Sequence, residues 1–227
     1  MLISLHLPKT AGISFGRSLK DYFGDSLLTD YGDLPINTPV IKRKLKALQN
    51  CAINSAKSFH NIQCIHGHFL PLKYLSIGVR KDVYFVTWLR EPVERLISHY
   101  YFWQKTYDAK TSPLLHRKMV EEDWSLERFC FAPELKNFYS QFLWGFPLSR
   151  FDFIGVTEYY EDDLRFFSEK FFKVRLVVHR ENINRNKENE VYPVDSNFRS
   201  KVEAYHEQDM TLYHQIKERR ANFWPSL

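Results

Sequence analysis

The sequence predicts an α/β protein, a P-loop-type three-layer fold whose mainly parallel central sheet is flanked by helices. Three observations point there. A strand, a short loop and a helix open the chain, a second strand-to-helix unit is centred on Arg90, and a strand-helix-strand run begins at Phe153. Alternation of this kind makes parallel sheets, because each crossover helix returns the chain to the same end of the sheet. With 227 residues, 44% of them hydrophobic, the chain can bury a substantial core, and no Gly/Ser-rich or Pro-rich linker divides it. The expectation is one domain over residues 1–227.

The elements follow in order. Leu2 to Leu7 alternates enough for a strand, and Phe15, Leu19 and Tyr22 or Phe23 give Ile13 to Phe23 a helical stripe. Pro39 to Asn50 is helical, with Thr38 as N-cap and Pro39 in the first turn, so its basic run Lys42-Arg43-Lys44-Leu45-Lys46 reads as a solvated face. Ile62 to Ile65 is a short strand, and Val83 to Leu89 is β-rich enough to be a buried central one. Glu91-Pro92 opens a helix whose Val93, Leu96, Ile97, Tyr100 and Tyr101 share one face. Gln104 to Asp123 is polar and mixed, broken at Ser112-Pro113, and reads as an insertion or lid. Phe153 to Val156 is a strand, Tyr160, Leu164, Phe167 and Phe171 form a helix stripe, and Val174 to Val178 is a further strand. Helices near Asn197 to Ala221 close the chain.

Charge and composition exclude several classes of function. The balance of 32 Lys and Arg against 27 Asp and Glu, a net +5, favours anionic partners, but no nucleic-acid signature accompanies it and no nucleic-acid partner is expected. Apolar stretches such as Val83 to Leu89 fall far short of the roughly 20 residues that cross a bilayer, so no transmembrane segment is expected. The start, Met1 to Lys9, has no charged leader or apolar h-region, which predicts a cytoplasmic protein. Cys51, Cys64 and Cys130 are odd in number and lack CxxC spacing, the pattern of reduced thiols rather than of disulfides or a zinc site.

Pro8-Lys9-Thr10-Ala11-Gly12-Ile13-Ser14 lies between a strand end and a helix start, where α/β folds bind anions. Unpaired N–H groups and the positive end of the helix dipole converge there, Gly12 allows close backbone approach, and Lys9 adds a mobile charge. The Walker A pattern does not match, because no early glycine is present and the lysine comes first. Further on, Arg90 stands at a strand end and Ser98 two turns into the next helix. Arg90 offers a fork for a phosphate, or an ion pair with Glu91 or Glu94.

His6 to Ser14 resembles the 5′-phosphosulfate loop of sulfotransferases that use 3′-phosphoadenylyl sulfate (PAPS), and Arg90 through Ser98 resembles their 3′-phosphate motif. The resemblance is closest to the carbohydrate O-sulfotransferase branch, of the heparan sulfate 2-O-sulfotransferase type. It continues more weakly through Phe153 to Glu158, the polar loop Asn182 to Asn189, and Asp209 to Tyr213. It implies PAPS as cosubstrate, PAP (3′-phosphoadenosine 5′-phosphate) as product, no required metal, and a hydroxyl-bearing acceptor, a carbohydrate. By position, Lys9 contacts the 5′-phosphosulfate, and Thr10, Ala11, Gly12, Ile13 and Ser14 form the loop around it. Arg90 and Ser98 bind the 3′-phosphate, and Arg185 and Lys187 belong to a polar loop over the nucleotide. Two departures stand out: Ala11 where the family often has Gly, and Ile13 where it often has Thr.

His66-Gly67-His68 follows a β-like run, and residues two apart on a strand share a face. A neutral imidazole suits removal of an acceptor proton near neutral pH. The resemblance implies that the second histidine, His68, is the base, ahead of His66. Against it stand a purely structural pair and a metal site, the latter lacking a completing carboxylate or cysteine. Two rival readings of the whole chain are a P-loop ATP-dependent kinase, with Glu158 as a Mg²⁺-holding acid, and a noncatalytic nucleotide- or polyanion-binding module.

Overall fold

A computed structural model describes residues 1–33, 36–79, 82–179 and 192–223. Five strands among them, β1 (Leu2–Leu5), β2 (Leu27–Asp30), β3 (Cys64–Gly67), β4 (Tyr84–Leu89) and β5 (Phe153–Val156), form one sheet in the order β2-β3-β1-β4-β5. Every pairing is parallel. The helices are α1 (Gly12–Phe23), α2 (Val40–Ala56), α3 (Pro92–Thr106), α4 (Leu114–Glu121), α5 (Leu126–Cys130), α6 (Phe138–Phe142), α7 (Tyr160–Phe172), α8 (Ser196–Tyr205) and α9 (Glu207–Phe223). An all-parallel sheet with flanking helices is the α/β three-layer architecture. None of these helices is long and apolar enough to cross a membrane.

The chain packs as two compact units, Met1–Leu89 with Gln141–Ile183, and Arg90–Ser140 with Asn184–Leu227. The first holds the whole sheet. Its central strands are buried on both faces, as a parallel sheet requires: Ile3, Leu5, Ile65, Val86 and Leu89 are all core residues. Helix α1 sends Phe15 and Leu19 into that core, Phe15 meeting Trp88 and Phe167 edge-on at ring distances of 5.4 and 5.2 Å. Burying two such side chains stabilises by about 2 kcal/mol each. In the second unit α3 buries Leu96, Ile97, His99 and Trp103, and a polar core joins Asp209 of α9 to the backbone N–H groups of Tyr139 and Ser140 at 3.0 and 3.2 Å.

One expectation needs correction, and one strand was not foreseen. Residues 174–178 are not a strand: Val174, Val177 and Val178 are exposed, and the Val177 carbonyl accepts from the Ser18 hydroxyl at 2.6 Å instead of from a neighbouring strand. The fifth strand is β2, a four-residue edge strand with two exposed residues, too short and too wet to show a period. Within 104–123, read from the sequence as an insertion or lid, α3 runs to Thr106 and α4 covers Leu114–Glu121 on the buried side chains of Leu115, His116 and Met119.

Candidate active site at the ends of β1 and β3

The chain leaves β1 toward β2, on the β3 side, and leaves the neighbouring strand β4 toward β5, on the other side, so the two connections diverge between the carboxyl ends of β1 and β4. That divergence opens the crevice in which open α/β sheets bind ligands. Residues 6–11 lie in it. The His6 N–H donates to the Gly67 carbonyl at 2.8 Å, extending the β1–β3 ladder, and the Thr10 hydroxyl donates to the Leu7 carbonyl at 2.8 Å, closing the turn. Lys9 and Ala11 have left-handed backbones, at φ 68° and 61°. Turns of this kind point successive N–H groups into one concavity that suits an anion. Ala11 is the N-cap of α1: its carbonyl accepts from the Phe15 N–H at 3.0 Å, and with alanine there no capping side chain covers the first turn.

Three imidazoles line this crevice. The His6 ring stacks on His66 at 5.2 Å and tilts against His68 at 4.2 Å, and Tyr31, just after β2, places its ring edge-on to His68 at 4.8 Å. The Tyr31 hydroxyl pairs with His6 Nδ1 at 2.9 Å. Glycines make room for the rings. A Cβ at Gly12 would come within 1.8 Å of the His6 ring, and one at Gly16 within 2.7 Å of His66 Nε2. Gly67 lies so close to the Asp30 backbone of β2 that a Cβ would meet the Asp30 carbonyl oxygen at 1.8 Å.

The two sequence-predicted histidines differ in access. His66 is fully buried, its Nδ1 held by the Ser4 hydroxyl at 2.8 Å, and burial pushes its pKa down to about 3, which the Gly12 backbone offsets only in part. His68 is half-buried, and its Nδ1 hydrogen-bonds to the His6 carbonyl oxygen. A carbonyl only accepts, so the proton sits on Nδ1 and the neutral ring presents a lone pair at Nε2. Burial also lowers the His68 pKa from the ordinary 6.5, so the ring is neutral at neutral pH. His6 is held well below 6.5, first by burial and then by His68, His66 and the Lys9 ammonium, which puts the Lys9 charge within electrostatic reach of the cluster. Such a group combines a neutral base of fixed tautomer, a cation and a helix N-terminus.

Arg90 and Ser98 belong to the second unit. Glu91 is the N-cap of α3, its carboxylate accepting from the Glu94 N–H at 2.7 Å, and Pro92 takes the first helical position. The Arg90 backbone is pinned by Tyr139, whose hydroxyl donates to the Arg90 carbonyl at 2.6 Å. Its guanidinium lies 3.9 Å from Glu94, the ion pair that the sequence offered as an alternative to a phosphate contact. Glu94 is held more closely by Arg199 of α8, at 2.5 Å, and by the Tyr192 N–H at 3.1 Å. Ser98 is buried on the same helix, and Arg185 and Lys187 lie outside the described residues.

Of the predicted residues, Lys9, Thr10, Ala11, Gly12, Ser14, His66 and His68 fall in the first unit around the β1 end, with Ile13 exposed beside them. Sequence reasoning included His6 in the loop motif without giving its ring a role, and it passed over Tyr31. His6 directly follows the first strand, a signal it could have used; Tyr31 comes in through β2, which the sequence did not reveal. Among the described residues, no group of three or more His, Cys, Asp or Glu is arranged to hold a metal ion.

Fold and crevice define an α/β protein with a tight loop, a helix N-terminus and a cluster of neutral histidines at one strand end. No family model matches the chain. It is similar to proteins named heparan sulfate 2-O-sulfotransferase 1: 30% identical to those of Xenopus laevis and Homo sapiens over 106 residues, and 32% to that of Mus musculus over 110. Each match takes in 45% of this chain and 29% of the relative, so the chain spans under a third of the length of these curated relatives. The relationship is sulfotransferase-like.

Proposed function

We propose that this chain is a sulfotransferase that moves a sulfuryl group from PAPS to a hydroxyl of a carbohydrate. The observation that carries the reading is His68, a neutral imidazole with its proton tied to a backbone carbonyl, beside the Lys9 loop. The names of the relatives supply the reaction class and the acceptor class.

The acceptor oxygen attacks sulfur in line as the bond from sulfur to the phosphate oxygen breaks. The acceptor proton passes to His68 Nε2, and PAP leaves with the electron pair of the broken bond. Lys9 meets the charge that grows on the departing phosphate, with the N–H groups of the loop from Thr10 to Ser14, so the work is positioning and charge stabilisation. Arg90 and Ser98 bind the 3′-phosphate, and Arg185 and Lys187 add contacts to the nucleotide, as the resemblance implies. His66, buried and held by Ser4, supports the His6 ring rather than reacting. No step uses a metal, so activity is expected to survive exhaustive chelator treatment.

The test is transfer from radiolabelled PAPS to desulfated heparan sulfate. His68→Ala is expected to lower turnover by about 10²- to 10⁴-fold, the usual worth of a general base, with little change in PAP affinity. Undiminished turnover in His68→Ala, or no transfer to any saccharide, contradicts the proposal.

A further inference from the structure

Helix α2 buries two polar residues beside Ala47 and leaves its large aliphatic side chains outside. Arg43, Ala47 and Asn54 are buried, whereas Ile41, Leu45 and Ile53 are 75%, 57% and 62% exposed and Leu48 is exposed as well. The inward polar groups have partners: Arg43 Nη2 donates to Gln141 at 2.8 Å, and Asn54 donates to the Lys73 carbonyl at 3.0 Å. These bonds fix which way the helix is rotated. Ile41, Leu45, Leu48 and Ala52 then recur at i, i+4, i+7 and i+11, a single stripe on the side away from the buried residues.

Charge says what covers the stripe. The 17 residues of α2 include Lys42, Arg43, Lys44 and Lys46 and no acid. Lys46 is engaged by Asp33 at 2.9 Å, while Lys42 and Lys44 flank the stripe on its two sides, Lys44 over the Trp144 ring at 4.5 Å. A second copy of the chain would set these lysines against their equals. A partner that engulfs a helix has no access, because the opposite side is packed. A flat surface, anionic outside and apolar within, meets both the stripe and its lysines, and basic amphipathic helices lie on such surfaces.

We propose that α2 is a docking surface for an anionic phospholipid bilayer. Ile41, Leu45 and Leu48 enter the boundary between headgroups and acyl chains, and Lys42 and Lys44 pair with lipid phosphates. The inference is independent of the catalytic reading.

Flotation with phosphatidylcholine vesicles, with and without phosphatidylserine, tests it. The protein is expected to float with the phosphatidylserine vesicles alone, and raising salt from about 0.05 to about 0.2 M should weaken binding several-fold. Ile41→Ser/Leu45→Ser/Leu48→Ser should bind about tenfold more weakly or worse, with an unchanged circular dichroism spectrum, since all three side chains are exposed. Lys42→Gln/Lys44→Gln should lose the preference for phosphatidylserine. The proposal is overturned by absence of flotation at low salt, by full binding of the triple variant, or by a dimer in sedimentation velocity that Leu45→Ser dissolves. That last result would assign the face to a second copy.

Discussion

A histidine whose Nδ1 is tied to a carbonyl has one nitrogen left for chemistry, and at His68 that nitrogen is Nε2. Burial keeps the ring from protonating until pH falls below 6.5. The acid limb of kcat/KM is therefore expected below pH 6.5, with a plateau through neutrality; a limb well above 6.5 would mean another group limits the reaction. Ala11 carries a different constraint. A left-handed alanine costs about 1–2 kcal/mol, so Ala11→Gly should stabilise the protein by about 0.5–1 kcal/mol after glycine's entropy, read as a higher urea midpoint at unchanged slope. The His-Gly-His pair was legible because spacing of two puts both rings on one face of a strand. The rest of the cluster was not: His6 and His68 meet across 62 positions of sequence, a separation that no local pattern encodes.

At the scale of elements, α1 and α7 were legible from apolar spacing, because each buries one stripe, whereas α3 is buried all round from Pro92 to Tyr100 with Tyr101 exposed, so its spacing showed the helix but not its surroundings. β2 was missed, and residues 174–178 were read as a strand that they do not form. Leu27–Asp30 earns its place by pairing with β3 at an edge, and the valines at 174, 177 and 178 have strand propensity without a strand to pair with. The link between α3 and α8 is a stability element in its own right. Buried Glu94 accepts from Arg199 and from the Tyr192 N–H, so Glu94→Ala leaves two half-buried donors without their partner. The expected loss is about 2–3 kcal/mol in urea unfolding, with Glu94→Gln losing less. Equal stability of Glu94→Ala and wild type would remove the link from the account.

For the molecule as a whole, buried neutral histidines predict acid sensitivity. His6, His66, His68 and His206 all have pKa values held below 6.5, chiefly by burial, to about 3 at His66 and about 4 at His206. Below pH 6.5 the unfolded chain binds protons that the folded one refuses, so stability falls as pH falls, by up to about 2 kcal/mol per histidine between pH 7 and pH 5. Asp209 runs the other way. Its pKa is raised to about 6 by burial, so the folded state holds a proton that the unfolded one has lost, and stability rises by about 1 kcal/mol as pH falls toward 5. The net expectation is a marked loss of stability from pH 7 to pH 5 in urea unfolding, smaller in His206→Asn. The fold class was legible from alternation alone, and the proposed reaction class rests on the resemblance of two segments to phosphate motifs together with the names of the relatives. The central claim, a PAPS site, is tested most directly by calorimetric titration with PAP, with AMP and ATP as comparators. The account predicts tight PAP binding, much weaker AMP binding, and loss of that difference in Arg90→Ala; no PAP binding alongside Mg²⁺-dependent ATP binding would contradict it.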